Sequence, residues 1–288
     1  MNSTARNNRH TSWMQSIYNT IKHLKLHELA LPSAHNSGMD KGVAEPIGRH
    51  WAVCQDHIFS VQMNHGARVL DLRIVDNSYK KDVGGSKVPR YRFVEKITCQ
   101  HGIQGRSLDR CVSSVRTFAE ANRGEIIILD IHSYSPGRNL NNAIQRCKNK
   151  LSTLANLLIP PTASALTLEE IRQTYPGKNV IICWSQGGYW PTIQHRWSGN
   201  NITSESQLMA FIQRSRNESA KGALNSLSAT AYTVANGPVR IKNGNSIWDE
   251  VFSPLQQSFN IINADFLQDT GVVERCIALN NARGSKKF

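Results

Sequence analysis

Apolar positions along this chain recur with two periods, near two and near 3.6 residues, and segments of the two kinds take turns. Trp13, Ile17, Ile21 and Leu24 share a helical face, and Ser12 with Gln15 three residues on makes a capping-box start. Residues 29–31 read as a short strand ending at Pro32, and LPSAHNSG continues as a loop. The clearest strand is RVLDLRIV at 68–75, with Val69, Asp71, Arg73 and Val75 on one face and Leu70, Leu72 and Ile74 on the other. Residues 93–100 predict a third strand, reached through a basic loop holding Lys80, Lys81, Lys87 and Arg90.

The alternation continues. Leu108, Val112, Val115 and Ala119 mark a helix over 107–122 with Gly124 as its stop signal. GEIIILDIH, from Gly124, is apolar enough for a strand buried on both faces. Leu140, Ile144, Cys147 and Leu151 mark a further helix, Thr167 with Glu170 caps a short one, and 179–184 is a fifth strand. Beyond it the signal thins: 204–217 reads as helix, 223–233 as strand and 260–266 as a better strand. No internal repeat or low-complexity linker interrupts the 288 residues. The pattern predicts one domain over 1–288, an α/β fold of the TIM-type barrel class, with an irregular or incomplete barrel allowed.

Charge narrows the partners. The net charge of +13 implies an anionic one: nucleic acid, an anionic membrane surface or a phosphorylated substrate, against the plain alternative of a solvated basic surface. No basic, aromatic-rich RNA-binding motif is present, so nucleic acid is not expected. The six cysteines show no C-x-x-C pair or metal-ligand spacing and read as buried thiols in a reducing compartment. No apolar run reaches the roughly 18 residues of a membrane span, and MNSTARNNRHTSWM is too polar for a secretory signal. The expectation is a cytoplasmic monomer; the alternative is export by a dedicated secretion route to a membrane surface.

Five predicted strands end in polar residues, where a parallel barrel gathers its chemistry. His35 follows the first, Asp71 and Arg73 share a face of the second, and His101 ends the third. Asp130 and His132 end the fourth, and Asp265 a late one. Two imidazoles can take a proton from an attacking hydroxyl and return one to a leaving oxygen. An arginine offers a planar fork of donors to a phosphate, and an aspartate beside the base fixes its tautomer. These are the parts for cleaving a phosphodiester without a metal.

LPSAHNSG, HGARVLDLRI, QHG, GEIIILDIH and IINADF stand in the order found in the phosphatidylinositol-specific phospholipase C X-domain family, which the chain resembles over roughly residues 26 to 270. The bacterial secreted enzymes are most similar in length, and PIGRHW resembles their short membrane-facing helix, with Trp51 as its membrane contact. The resemblance implies His35 as general base, Asp265 as the carboxylate orienting it, His101 as general acid, Arg73 on the phosphate and Asp71 near the leaving group. It implies attack by an inositol hydroxyl, with a cyclic phosphate and diacylglycerol as products.

Two departures matter. Asn36 stands where bacterial members carry aspartate and calcium-dependent ones asparagine, yet Arg73 stands where the latter carry a carboxylate. An arginine among cation ligands is electrostatically unfavourable, so no cofactor is expected, calcium included, and Asn36 becomes a hydrogen-bonding neighbour. His132 replaces a lysine that contacts inositol, and Trp184 falls near one of the family's arginines; Trp184 or Trp190 is expected to stack on the alcohol part. Plainer readings compete. Asp130 is a bracing carboxylate deeper than His132, and His132 itself reads equally as pocket or structural residue. Trp51 reads equally as a packing residue, while His10, His23, His50 and His195 read as surface residues and His65 as structural. The functional alternatives are a ribonuclease-like enzyme, a metal-dependent glycerophosphodiesterase and an inert phospholipid-binding barrel.

Overall fold

The computed structural model describes residues 10–42, 48–84, 91–137, 142–199, 201–215, 222–240 and 259–286. Its strands in chain order are β1 (Leu31–Ala34), β2 (Val69–Asp76), β3 (Tyr79–Asp82), β4 (Tyr91–Val94), β5 (Ile97–His101), β6 (Ile103–Ser107), β7 (Ile127–Ser135), β8 (Val180–Cys183), β9 (Gln194–Arg196), β10 (Asn225–Ser228), β11 (Ala231–Thr233), β12 (Gly237–Val239) and β13 (Ile261–Ala264).

Seven of them form one parallel sheet in the order β8-β7-β2-β1-β13-β10-β9. Edge strands β8 and β9 do not pair, so the barrel is incomplete and open at that seam. Helices including Leu108–Ala121 and Ala143–Leu151 cover the sheet, burying Cys111, Val112, Val115, Cys147 and Leu151 against Leu70, Leu72, Leu129 and Ile131. Ser107 caps the first of these by accepting from the Arg110 amide, and Thr167 with Glu170 forms the expected capping box.

The expected third parallel strand is a correction. Residues 93–100 divide between β4, which makes a hairpin with β3, and β5, which runs antiparallel to the end of β2 and turns back as β6. Among the described residues no crossover helix lies between β2 and β5; the chain passes through the antiparallel β3–β4 pair instead and returns along β2 in the opposite direction. The first strand extends past Pro32 to Ala34, and 223–233 is broken into β10 and β11. The capping box at Ser12 does not form, and the helix it should open is two short turns, Trp13–Ser16 and Tyr18–Ile21. Its amide donors go instead to Glu125, whose two oxygens accept from the amides of Met14 and Gln15 at 3.1 and 2.8 Å.

Glu125 also pairs with the wholly buried Arg68. Arg68 further donates to the carbonyls of Met63, Ala67, His10 and Thr11. One buried ion pair thereby fastens the N-terminal segment under the start of β2 and β7. Strand β9 and the helix Val272–Ser285 have no counterpart in the sequence expectations. No helix of the described residues is long and apolar enough to cross a membrane.

Candidate active site

The site is assembled at the C-terminal ends of the parallel strands. His35 follows β1, and its amide donates to the carbonyl of Ala264, the last residue of the neighbouring β13. That pairing sets Asp265, one step further on, beside the imidazole: His35 Nδ1 lies 2.7 Å from Asp265 Oδ1. On the other side the Arg73 guanidinium stands 2.8 Å from Nε2. Arginine can only donate and a carboxylate only accepts. The ring therefore carries its proton on Nδ1 and presents a lone pair at Nε2, the tautomer that a general base needs.

Asp71 is wholly buried beneath this pair. It accepts from Asn263 Nδ2 at 3.1 Å and from the Asn36 amide at 3.3 Å. Burial pushes its carboxyl up, but Arg73, His132, His35 and His195 outweigh that and hold it well below the ordinary carboxylate range. Asn36 adopts a left-handed backbone, φ 44°, which asparagine tolerates better than most residues, and so turns the chain directly after His35. Its Nδ2 lies 3.5 Å from both His35 Nε2 and Cys54 Sγ. Arg73 is only part-buried, and its Nε has no partner among the described residues.

His101 arrives by the antiparallel return. Ile74 pairs with Cys99, so two residues further along β5 His101 comes back level with Leu72, beside Arg73. Its ring centre is 6.5 Å from that of His35 and 6.4 Å from that of Tyr232. Nδ1 lies 3.2 Å from the Ala52 carbonyl, which only accepts, so Nδ1 bears a proton. Burial, His35 and Arg73 lower the pKa of His101 from its ordinary 6.5, against the Ala52 bond.

Asp130, on β7, is buried, and its Oδ2 lies 2.7 Å from Nε2 of His195 on β9. The His195 ring stacks at 3.9 Å, tilted, against that of His132. His195 is therefore a correction: it was expected on the surface and is instead largely enclosed beside Asp71 and His132. Burial raises Asp130 to about 6 despite His195. Burial lowers His132 to about 4, with Asp71 opposing. The bond to Asp130 lifts His195 above its ordinary value against desolvation.

The tryptophans are also corrected. Trp184 is 3% exposed, packed edge-on against Tyr134 and beside Tyr189 in the core. Trp190 is 4% exposed, and its indole N–H donates to the Ile159 carbonyl at 2.8 Å. Trp184 offers no free face to a substrate, and Trp190 lines a pocket with Leu26, His27 and Leu224 that includes neither His35 nor His101. Trp51 is 44% exposed on the short helix Arg49–Ala52; Pro46 and Ile47 of the same motif lie outside the described residues. Its indole donates to the Ala235 carbonyl, on the turn between β11 and β12 beside Val234, which is 64% exposed. The helix that displays Trp51 thus also supplies the Ala52 carbonyl to His101.

Two residues of the site had no place in the expectations. Gln55 donates to the carbonyls of both His35 and Ala264 at 2.9 Å and accepts from the Leu267 amide, tying the segment after β1 to the segment after β13. Buried Cys54 lies 3.8 Å from His101 Nδ1; desolvation, with Asp265 adding, keeps its thiol protonated.

No family model matches the chain. Among curated proteins it is 21% identical over 316 aligned positions to PI-PLC X domain-containing protein 3 of Danio rerio, covering 94% of each chain. It is also 21% identical to PI-PLC X domain-containing protein 2 of Mus musculus, covering 93% of this chain and 87% of that one. Among solved structures its fold matches the phosphatidylinositol-specific phospholipase C of Listeria monocytogenes with a TM-score of 0.65 at 16% identity, covering 93% of this chain and 98% of that one. A mutant of the Staphylococcus aureus enzyme gives 0.64 at 15% identity, covering 95% and 99%. Along nearly its whole length, the chain is similar in sequence to members of the phosphatidylinositol-specific phospholipase C X-domain family and in fold to the bacterial enzymes.

Proposed function

We propose that this chain is a phosphodiesterase that cleaves a phospholipid headgroup of the phosphatidylinositol type, with His35 as base, His101 as acid and Arg73 on the phosphate. The observation that carries the reading is His35 held in its base tautomer between Asp265 and Arg73, with a second imidazole 6.5 Å away. A hydroxyl of the alcohol part attacks phosphorus and loses its proton to His35 Nε2. The bond to the lipid oxygen breaks, and that oxygen takes a proton from His101 Nε2, leaving a cyclic phosphate and diacylglycerol. Arg73 leaves His35 for the non-bridging oxygens as substrate enters, and its unpartnered Nε supports a two-pronged contact. Asp265 steadies the imidazolium that forms.

Exposed Trp51 and Val234, with Arg49 on the same short helix as Trp51, support an anionic membrane surface as the place of work. The metal-dependent glycerophosphodiesterase reading is weakened by Arg73, whose positive charge lies 2.8 Å from His35 where an ion shared with that histidine would sit. The test is to incubate purified protein with a panel of phospholipids and glycerophosphodiesters, with and without chelator, and to identify the phosphorus-containing product by NMR. A cyclic inositol phosphate is the expected product. Turnover of glycerophosphodiesters alone, and only with added metal, would transfer the site to the other class; no turnover of any member would leave an inert lipid-binding barrel.

A further inference from the structure

The acid–base step leaves one cluster of the same barrel mouth unused. We propose that Asp130, His132 and His195 bind a single divalent transition-metal ion of the zinc type. One ligand atom from each of the three can be chosen so that all lie within 4.8 Å of one another. Two imidazoles and a carboxylate form a donor set suited to zinc, cobalt or nickel, whereas calcium takes six to eight oxygens.

The cluster also holds more polar atoms than it satisfies. Asp130 Oδ1, His132 Nδ1, His195 Nδ1 and Asp71 Oδ1 are all buried without a hydrogen-bond partner among the described residues. The 3.6 Å between His132 Nδ1 and Asp71 Oδ1 is too long to count as a bond. Buried polar atoms are nearly always partnered, and four unpartnered ones on neighbouring side chains mark a place where a ligand belongs. An Asp–His pair serving only as a brace would use the 2.7 Å contact of Asp130 with His195 and would not need His132 stacked on it.

The supports are rigid and the charge balance is favourable. Asp130 lies on β7, paired on both sides, and His195 on β9, which pairs only with β10 and forms one lip of the open seam. An ion held by both strands fastens that seam. Asp71 adds a second carboxylate next to His132 and offsets Arg73, whose guanidinium stands 3.9 Å from it on the His35 side. His132 is the most exposed of the three residues, so the ion would be reached from its side. Arg73 disfavours an ion beside His35, whereas this cluster rests on His195, an enclosed residue paired with Asp130.

The full chain, stripped with chelator and dialysed, is titrated with Co2+ by visible absorption and with Zn2+ by calorimetry. One equivalent is expected to bind, and Zn2+ should raise the thermal unfolding midpoint because it binds the folded state. His195→Ala and Asp130→Asn should each weaken binding by more than the roughly 10–100-fold that follows loss of an outer-shell partner. If either variant fails to fold, His132→Gln, at a part-exposed position, carries the test. His35→Ala and Cys54→Ser should leave binding unchanged. Absence of binding at micromolar concentrations overturns the inference. So does loss of binding in His35→Ala or Cys54→Ser but not in the cluster variants, which would move the ion to the neighbouring group of His35, Cys54 and Asp265. The measurement requires no turnover, so it stands or falls separately from the proposed reaction.

Discussion

Replacing His101 by alanine removes the proton for the departing oxygen and leaves the base intact. The ring's polar contacts are one carbonyl at 3.2 Å and one thiol at 3.8 Å, so its loss leaves no buried charge unpaired. The variant should fold, and its rate should report chemistry. Removing a general acid costs about 10²–10⁴ in rate, or roughly 2.7–5.4 kcal/mol of barrel-mouth stabilisation of the transition state. His35→Ala should cost as much in rate and more in stability, since Asp265 loses a 2.7 Å partner while staying buried. The leaving group separates the two roles. A nitrophenyl phosphodiester of the same alcohol departs without needing a proton, so His101→Ala should recover most of its loss on that substrate. His35→Ala should recover nothing, because the attacking hydroxyl still has a proton to lose. Arg73→Lys should stay slow on both, an ammonium being unable to reproduce the forked contact. Rates are measured on phospholipid in micelles and on the nitrophenyl ester, with circular dichroism as the control for folding. Equal losses of both histidine variants on both substrates would refute the division of roles, and full activity in either would refute the mechanism.

Four further outcomes are expected. Because burial and the neighbouring His35 lower the pKa of His101, its acid form is lost as pH rises through a value below 6.5. kcat/KM on phospholipid should therefore fall about tenfold per pH unit across neutrality, and an alkaline limb centred above pH 7 would contradict this. Calcium added to chelator-treated protein should not change the rate, given Arg73 at His35; stimulation by calcium would make Asn36 a ligand. Trp51→Ala should slow cleavage on anionic vesicles, whose binding should weaken with salt as exposed charges are screened within about 10 Å at 0.1 M. The same variant should leave a soluble short-chain substrate unaffected, and equal loss on both would make Trp51 a packing residue. Glu125→Ala strands the buried Arg68 and should lower unfolding free energy by about 3–5 kcal/mol in urea titrations, an effect that an unchanged midpoint would exclude.

The parts of the fold that could be read from the chain are those in which one segment buries its own apolar pattern. β7 shows an unbroken run because β2 and β8 flank it and helices cover it. Leu108–Ala121 shows a clean stripe and a serine cap. The helix Val272–Ser285 shows neither, because its buried face includes Asn280 and Gly284. Asn280 binds the Ala30 amide and carbonyl at 2.7 and 2.9 Å, and Gly284 lies where any Cβ would strike the backbone of Thr20. A helix docked through an amide and a glycine has no hydrophobic period to display. The N-terminal turns fail to show for a related reason: their cap is Glu125, 110 residues away from Gln15 in the chain.

The site divides along the same line. His35 and Asp265 follow strands that announce themselves, Asp71 and Arg73 share a face of β2, and the parallel sheet gathers these four, while His101 ends a predicted strand that returns antiparallel to β2. Gln55 and Cys54 were not visible because they lie in a loop, and their work is done on backbone carbonyls and on His101. His195 sits in a three-residue edge strand, Gln194–Arg196, between two polar, exposed residues, so nothing local distinguishes it. One clue was nevertheless present. Asp130 stands in IIILDI, a run apolar enough to be buried on both faces, and a buried carboxylate needs a partner. That demand could be inferred from β7 alone. The residue that meets it could not, because the pairing that brings β9 across the open seam is set by β10, and β10 in turn by β13. A catalytic residue at the end of its own strand is a local fact of sequence, whereas a partner delivered by the edge of an unclosed barrel is a fact of the whole sheet.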